Sequence, residues 1–304
     1  MTLIIILYAL FAVSVSAGKA LLHYSQPIFL MGCRMFFAGI ILLCYQYFYA
    51  FESFKIRKKD LWLYAQVALI GFYTTYILRF WGLNYLSASK SMFLYNLSPF
   101  VTSLYSYVIF SEKITPIKWL GLLIGFIGFI PILYTSSPLE SYVGEYFFIS
   151  WPELAIIASV FSNSYSWIVI KTLVRNRHYS PMMINALTMT SSGLLGLLTS
   201  YFVEGPFPVS STYSFLTLLF FIIIISNIIC HNLYGFLLKT YSATFLSFAG
   251  FTGPLFAALY SWILLNETIT WHFYVSSVIV FIGLYLFYKD ELSDINSMPS
   301  EYQS

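Results

Sequence analysis

The chain has 304 residues, of which 59% are hydrophobic, 21% aromatic and only 9% charged, and its formal net charge is +3. A water-soluble domain carries about 25% charged residues, because its surface has to be covered by groups that water solvates. This composition excludes an ordinary soluble enzyme, a nucleic-acid binder and a disordered chain, and leaves an integral membrane protein.

A helix needs about 20 apolar residues to cross a hydrocarbon layer about 30 Å thick. The hydropathy pattern predicts ten such spans, at 2–22, 27–50, 61–82, 86–110, 116–134, 151–173, 181–203, 213–238, 241–264 and 271–288. Pro27, Pro116, Pro152 and Pro181 fall at span starts, where the missing N–H has no helical partner to lose. The first span has no basic leader and no small-residue cleavage site, so it is expected to stay as a helix. The apolar runs do not alternate every second residue, as strands of a membrane barrel would. Cys33, Cys44 and Cys230 are odd in number, lie in apolar runs and form no C-x-x-C pair. They are expected to be small buried hydrophobes, with no disulfide, metal or cofactor.

An even number of spans puts both termini on one side. With the N-terminus inside, Lys55, Arg57, Lys58, Lys59, Lys113, Lys118, Lys171, Arg175, Arg177, Lys239 and Lys289 all fall in cytoplasmic loops or the tail. The outer loops then hold no Lys or Arg but carry Glu140, Glu145, Glu153, Glu204 and Glu267. That asymmetry is the positive-inside pattern.

The chain also repeats itself at an offset of 155 residues. Ser87-Ala88 falls on Ser242-Ala243, Pro99 on Pro254, Leu104-Tyr105-Ser106 on Leu259-Tyr260-Ser261, and His23-Tyr24-Ser25 on His178-Tyr179-Ser180. Five spans per repeat is an odd number, so the second repeat enters the membrane inverted. The predicted fold is therefore an all-α integral membrane protein of ten transmembrane helices in two inverted five-helix repeats. The repeats are 1–134 and 151–288, joined by an outer loop at 135–150 and followed by a cytoplasmic tail at 289–304 that is expected to be mobile. Such an architecture places a solute site near the midplane, between the repeats.

Three stretches, Gly82-Leu83-Asn84-Tyr85-Leu86-Ser87-Ala88-Ser89, Ser98-Pro99 and Ser111-Glu112-Lys113-Ile114-Thr115-Pro116, have counterparts in the second repeat. Those are Tyr241-Ser242-Ala243, Gly253-Pro254 and Asn266-Glu267-Thr268-Ile269-Thr270. Together they resemble the EamA-type carriers of the drug/metabolite transporter superfamily, over nearly the whole chain. The resemblance implies a ten-helix carrier in a bacterial inner (plasma) membrane with both termini cytoplasmic. It also implies a cavity lined mainly by helices 1, 3, 4, 6, 8 and 9, and a cargo among amino acids, nucleotide sugars, S-adenosylmethionine and similar metabolites.

Within the spans, Pro99 and Pro254 each remove an N–H and are expected to free the carbonyl four residues back, at Tyr95 and Gly250. They read as paired hinges, as a source of carbonyls lining a cavity, or as static kinks. Glu112 and Glu267 end spans 4 and 9 on opposite faces, as gate contacts or as solvated helix ends. Lys19, Arg34, Arg79 and Lys90 put charge inside the membrane, where it is costly. None meets a cation at the offset: they fall on Val174, Met189, Tyr234 and Phe245. Arg79 and Lys90 are expected to form an outer vestibule for a carboxylate or phosphate, with Lys19 nearby; snorkelling to the surface is the alternative. Arg34 lies about 10 Å into its span and either meets solute or pairs structurally.

Ser14, Asn96, Asn163 and Asn227 are polar groups that need partners, either solute or a neighbouring helix. Tyr73, Tyr76, Tyr95 and Trp167 offer aromatic faces to a cationic or ring-bearing solute. His231 is a proton-accepting group or a packing residue. No Asp or Glu lies deep in a span, so exchange or facilitated transport is expected rather than a carboxylate proton relay. Gly121-x-x-x-Gly125 allows close helix approach, between repeats or between protomers. Ser87-Ala88-Ser89-Lys90 has S-x-x-K spacing but lacks the companion motifs of an acyl-transfer enzyme. The expected function is therefore not enzymatic but secondary transport, by alternating access, of an amino acid or S-adenosylmethionine-like zwitterion. A nucleotide sugar or another anionic metabolite is the alternative cargo, and a lipid-handling role a more distant one. The expected partners are the solute and membrane lipid, with no nucleic acid, in a monomer or homodimer.

Overall fold

The computed structural model describes residues 2–49, 56–110, 115–134, 138–146, 149–206, 208–241, 243–265 and 270–297. Glu112 and Glu267 lie outside the described residues. Among those described, the helical stretches are Thr2–Leu21, Pro27–Tyr49, Lys58–Tyr85, 88–110, Pro116–Leu133, Trp151–Asn176, Pro181–Val203, Thr212–Leu237, 243–265 and Trp271–Ser297, numbered here 1 to 10. Seven of them are long and apolar enough to cross a membrane. Helix 10 runs on to Ser297, past the span end expected at 288.

Local chemistry sets the helix starts. Pro27, Pro116 and Pro181 are first residues and Pro152 is a second residue. The Ser87 and Thr115 hydroxyls accept the N–H groups of Lys90 and Lys118, at 3.1 and 3.3 Å. Ser150 and Glu153 form a reciprocal capping box at the start of helix 6.

Helices 4 and 9 share an irregularity. The offset of 155 carries segments 88–94, 95–97 and 98–110 onto 243–249, 250–252 and 253–265, residue for residue. In each helix a 3-10 turn sits just before the proline. The Tyr95 and Gly250 carbonyls are not freed as expected. They accept the N–H of Ser98 and of Gly253, because the tighter turn hands the residue before each proline the bond that proline cannot make. Helices 3 and 8 likewise each widen into a π segment, Val67–Thr74 and Ile223–Cys230.

Helix 2 packs along helix 7, 5 along 10 and 4 against 9; helix 3 packs on 6 and 7, helix 8 on 1 and 2, and helices 6 and 1 on 4 and 9 respectively. A Cβ at Gly283 would stand 2.6 Å from the Gly125 nitrogen and 2.7 Å from the Gly121 carbonyl oxygen. Helices 5 and 10 therefore meet backbone to backbone, which assigns the Gly121-x-x-x-Gly125 pattern to a contact within the chain. Outward faces carry uncovered Phe48, Trp62, Val108, Phe202 and Phe220, an apolar surface that a bilayer covers. Cys33 and Cys230 are buried as expected, whereas Cys44 is on the exposed face; all three are free.

Candidate functional site

A partly open cavity, with about 80 Å³ accessible to the centre of a water-sized sphere, lies among helices 1, 3, 4, 6, 8 and 9. Its lining is organised by the 155-residue offset: Tyr8 with Asn163, Tyr76 with His231, Arg79 with Tyr234, Met92 with Ser247, and Tyr95 with Gly250 all line it. Five mated pairs around one space mean that the cavity is built from equivalent positions of the two halves. Phe11, Asn96, Ser98 and Trp167 complete the wall, and no Asp or Glu lines it among the described residues.

The wall is held by specific contacts. The Arg79 guanidinium lies 4.1 Å above the Tyr95 ring and 5.8 Å from the Tyr76 ring centre, a cation–π arrangement worth about 0.5–2 kcal/mol per well-formed contact. His231 Nδ1 is 2.6 Å from the Ser226 carbonyl, which can only accept, so Nδ1 carries the proton. Nε2 is then the acceptor for the Tyr76 hydroxyl, at 2.6 Å. Trp167 stacks on Tyr234 with ring centres 3.9 Å apart. The Tyr8 hydroxyl donates to the Leu246 carbonyl at 2.5 Å, and the Tyr95 and Ser159 hydroxyls bond at 3.0 Å. The Asn96 and Asn163 amides find no protein partner among the described residues, so their donors and acceptors are left to whatever fills the cavity.

A smaller pocket adjoins it, lined by Ser14, Arg34, Arg79, Phe80 and Ser226 among others; Phe11 and Arg79 belong to both spaces. Arg34 is 4% exposed. Its Nε donates to Asn227 Oδ1 at 2.6 Å and an Nη to Ser226 Oγ at 2.5 Å. Its guanidinium faces the Tyr76 and Phe80 rings at 5.2 and 5.5 Å. Asn227 is thus a partner of Arg34 and does not line the main cavity.

Tyr76, Arg79, Tyr95, Asn96, Asn163, Trp167 and His231 are brought together as expected from the sequence. The other five expected residues, Asn227 among them, lie outside the main cavity. Tyr73 bonds Thr199 on helix 7 at 2.7 Å, away from the cavity. Ser14 lines only the side pocket, and its hydroxyl donates to the Phe11 carbonyl at 2.8 Å. Lys19 donates to the Leu83 and Asn84 carbonyls at 2.8 and 2.9 Å, capping the C-terminal end of helix 3, where a cation suits the helix dipole. Arg175 does the same for helix 8, donating to the Leu238 and Tyr241 carbonyls at 2.8 and 3.2 Å. Lys19 therefore has a counterpart after all, one residue off the offset, because the π turn Thr172–Asn176 takes up an extra residue.

Lys90 does not open onto a vestibule. It is 6% exposed and its ammonium is taken by Glu140 at 2.9 Å and Glu153 at 2.7 Å. The Ser150 hydroxyl donates to Glu140 at 2.7 Å and its N–H to Glu153 at 2.7 Å. This cluster fastens the short linker helix, Pro138–Val143, to helices 4 and 6. Sequence reasoning named the Gly250 carbonyl but missed Tyr8, Phe11, Met92, Ser98, Tyr234 and Ser247. The signal was present in the repeat, since Tyr8 and Tyr234 are the mates of Asn163 and Arg79.

Comparison with known proteins adds identity to the geometry. Residues 1–134 and 150–289 each match the model of the EamA-like transporter family. The chain is 34% identical to the "S-adenosylmethionine/S-adenosylhomocysteine transporter" of Chlamydia muridarum (strain MoPn / Nigg), over 95% of this chain and 91% of that one. It is 33% identical to the protein of the same name from Chlamydia trachomatis serovar L2, over 95% and 88%. A solved crystal structure superposes with a TM-score of 0.66 at 15% identity, covering 98% of this chain and 97% of the other, which speaks for the fold alone.

Proposed function

The chain belongs to the EamA-like transporter family, and from that premise we propose that it exchanges S-adenosylmethionine for S-adenosylhomocysteine, or carries either down its gradient. It is a membrane transporter and not an enzyme. Of the cargo classes expected from the sequence, the relatives favour the zwitterionic one. The observation that carries the reading is the cavity wall: aromatic rings on every side, one guanidinium at Arg79, and no carboxylate among the described residues. Trp167, Tyr234, Tyr8 and Phe11 offer faces to an adenine ring and to a sulfonium. Arg79 offers its charge to an amino-acid carboxylate.

The missing acid is the informative part. A buried carboxylate would bind the sulfonium strongly and leave an unpaired charge when the neutral thioether entered. Ring faces attract a sulfonium by only about 0.5–2 kcal/mol, so both members of the pair are accepted with similar affinity. That is what an exchanger needs.

In this reading ten helices cross the bacterial inner membrane with both termini in the cytoplasm, as two inverted repeats at 1–134 and 151–288. Support comes from the mated pairs in the cavity wall, from segment bounds that repeat at the same offset, and from helix contacts that come in matching sets. Pro99 and Pro254 act as the hinges, and Glu112 and Glu267 as contacts of the two gates. Lipid surrounds the chain, as a monomer or a homodimer. Uptake of radiolabelled S-adenosylmethionine into proteoliposomes, with and without S-adenosylhomocysteine inside, is the test. Trans-loading is expected to raise the uptake rate several-fold, and uptake no greater than into protein-free vesicles would end the proposal.

A further inference from the structure

We infer that Arg34 and Arg79 together form an anion subsite in the side pocket, which receives the carboxylate of the zwitterionic cargo; this rests on the cargo reading above. A guanidinium has five N–H donors in a fixed fork. Arg34 spends one on Asn227 Oδ1 and one on Ser226 Oγ, both neutral oxygens that leave its charge uncancelled. Among the described residues, neither Arg34 nor Arg79 has an Asp or Glu within ion-pair distance, whereas buried Lys90 has two.

The two guanidiniums also face the same ring, 5.2 and 5.8 Å from the centre of Tyr76. Like charges so close in a low-dielectric interior repel each other. Charge inside a membrane marks a site by default, and two like charges together mark one for an anion. Ser226 accepts from Arg34, so its hydroxyl hydrogen is left to point at the same anion.

The side pocket leaves only about 10 Å³ to the centre of a water-sized sphere, room for about one water, so the carboxylate reaches Arg34 as the side chains between the two spaces give way. Arg79 and Phe11 line both. They thus stand between the two spaces, so a solute with its ring system on Trp167 and Tyr234 directs its amino-acid end past Arg79 toward Arg34. Sequence analysis gave the anion role to Arg79 and Lys90. The structure occupies Lys90 with two carboxylates and brings Arg34 to Arg79 in its place.

Equilibrium binding to purified protein tests this with two probes, S-adenosylmethionine and its decarboxylated form, which keeps the sulfonium and adenosine but lacks the carboxylate. Wild type is expected to prefer the carboxylated compound by about 10- to 100-fold, the usual effect of one charge-assisted pair in a buried site. Arg34→Gln and Arg79→Gln each lose most of that preference, weakening the carboxylated compound far more than the decarboxylated one, and retained binding of the latter reports that they fold. Arg34→Lys keeps part of it. Equal binding of the two probes by wild type overturns the subsite, as does equal weakening of both in Arg34→Gln. Should wild type bind neither probe, the cargo reading fails by itself. Acetate alone then decides the subsite, which requires acetate to raise the unfolding temperature of wild type but not of Arg34→Gln.

Discussion

His231 shows how one residue in the wall is made rigid. A carbonyl fixes the proton on Nδ1 and the Tyr76 hydroxyl occupies Nε2, so the ring cannot turn without losing both bonds. Tyr76→Phe strips the donor and leaves a buried acceptor unmet. The expected loss is about 1–3 kcal/mol of stability, seen as a lower unfolding temperature, and His231→Phe in the same background should recover much of it. Residues of this type were legible in the sequence for a physical reason: a polar group in a lipid-crossing helix has to be accounted for, so Arg79, Asn96, Asn163 and His231 stood out. Tyr8 and Tyr234 did not, because one tyrosine among 26 carries no mark of where it faces. Lys19 was misread because its counterpart is displaced by a π turn, which leaves no signature in composition.

At the scale of elements, two features can be separated by mutation. The first is the Lys90 cluster. Lys90→Met leaves Glu140 and Glu153 buried without their cation, and is expected to cost about 3–5 kcal/mol in unfolding experiments. Lys90 lies off the cavity, so the folded fraction should still bind cargo with wild-type affinity; a selective loss of affinity would return Lys90 to the site. The second is the broken helix. Each 3-10 turn starts at a cavity residue, Tyr95 or Gly250, four residues before a proline. Pro99→Ala restores a backbone donor and lets an unbroken helix compete with the turn. Transport turnover is expected to fall several-fold with cargo affinity little changed, and further in the double variant with Pro254→Ala. Unaltered turnover would make the breaks static. The sequence showed these prolines and their pairing, but the turn geometry that satisfies the carbonyls only appears once the backbone is built.

For the molecule as a whole, the proposed inverted arrangement makes a directional claim. His23 and His178 are mates at the offset, and both are exposed. In a background without Cys33, Cys44 and Cys230, a cysteine at 23 is expected to react with an impermeant maleimide added outside intact cells, and one at 178 only after the membrane is opened. Labelling of both from one side would rule out the inversion. Under the proposed exchange, a cavity wall with no acid among the described residues has an electrical corollary. S-adenosylmethionine carries one more positive charge than S-adenosylhomocysteine, and no carboxylate among the described residues of the wall cancels the difference. Swapping one for the other therefore drives current. An inward-negative voltage of 100 mV contributes about 2.3 kcal/mol per unit charge, or about a 50-fold bias. On the proposed exchange, a cell energised in the ordinary way would draw the methylated form in and push the spent form out at the expense of its membrane voltage, with no coupling ion carried by the protein.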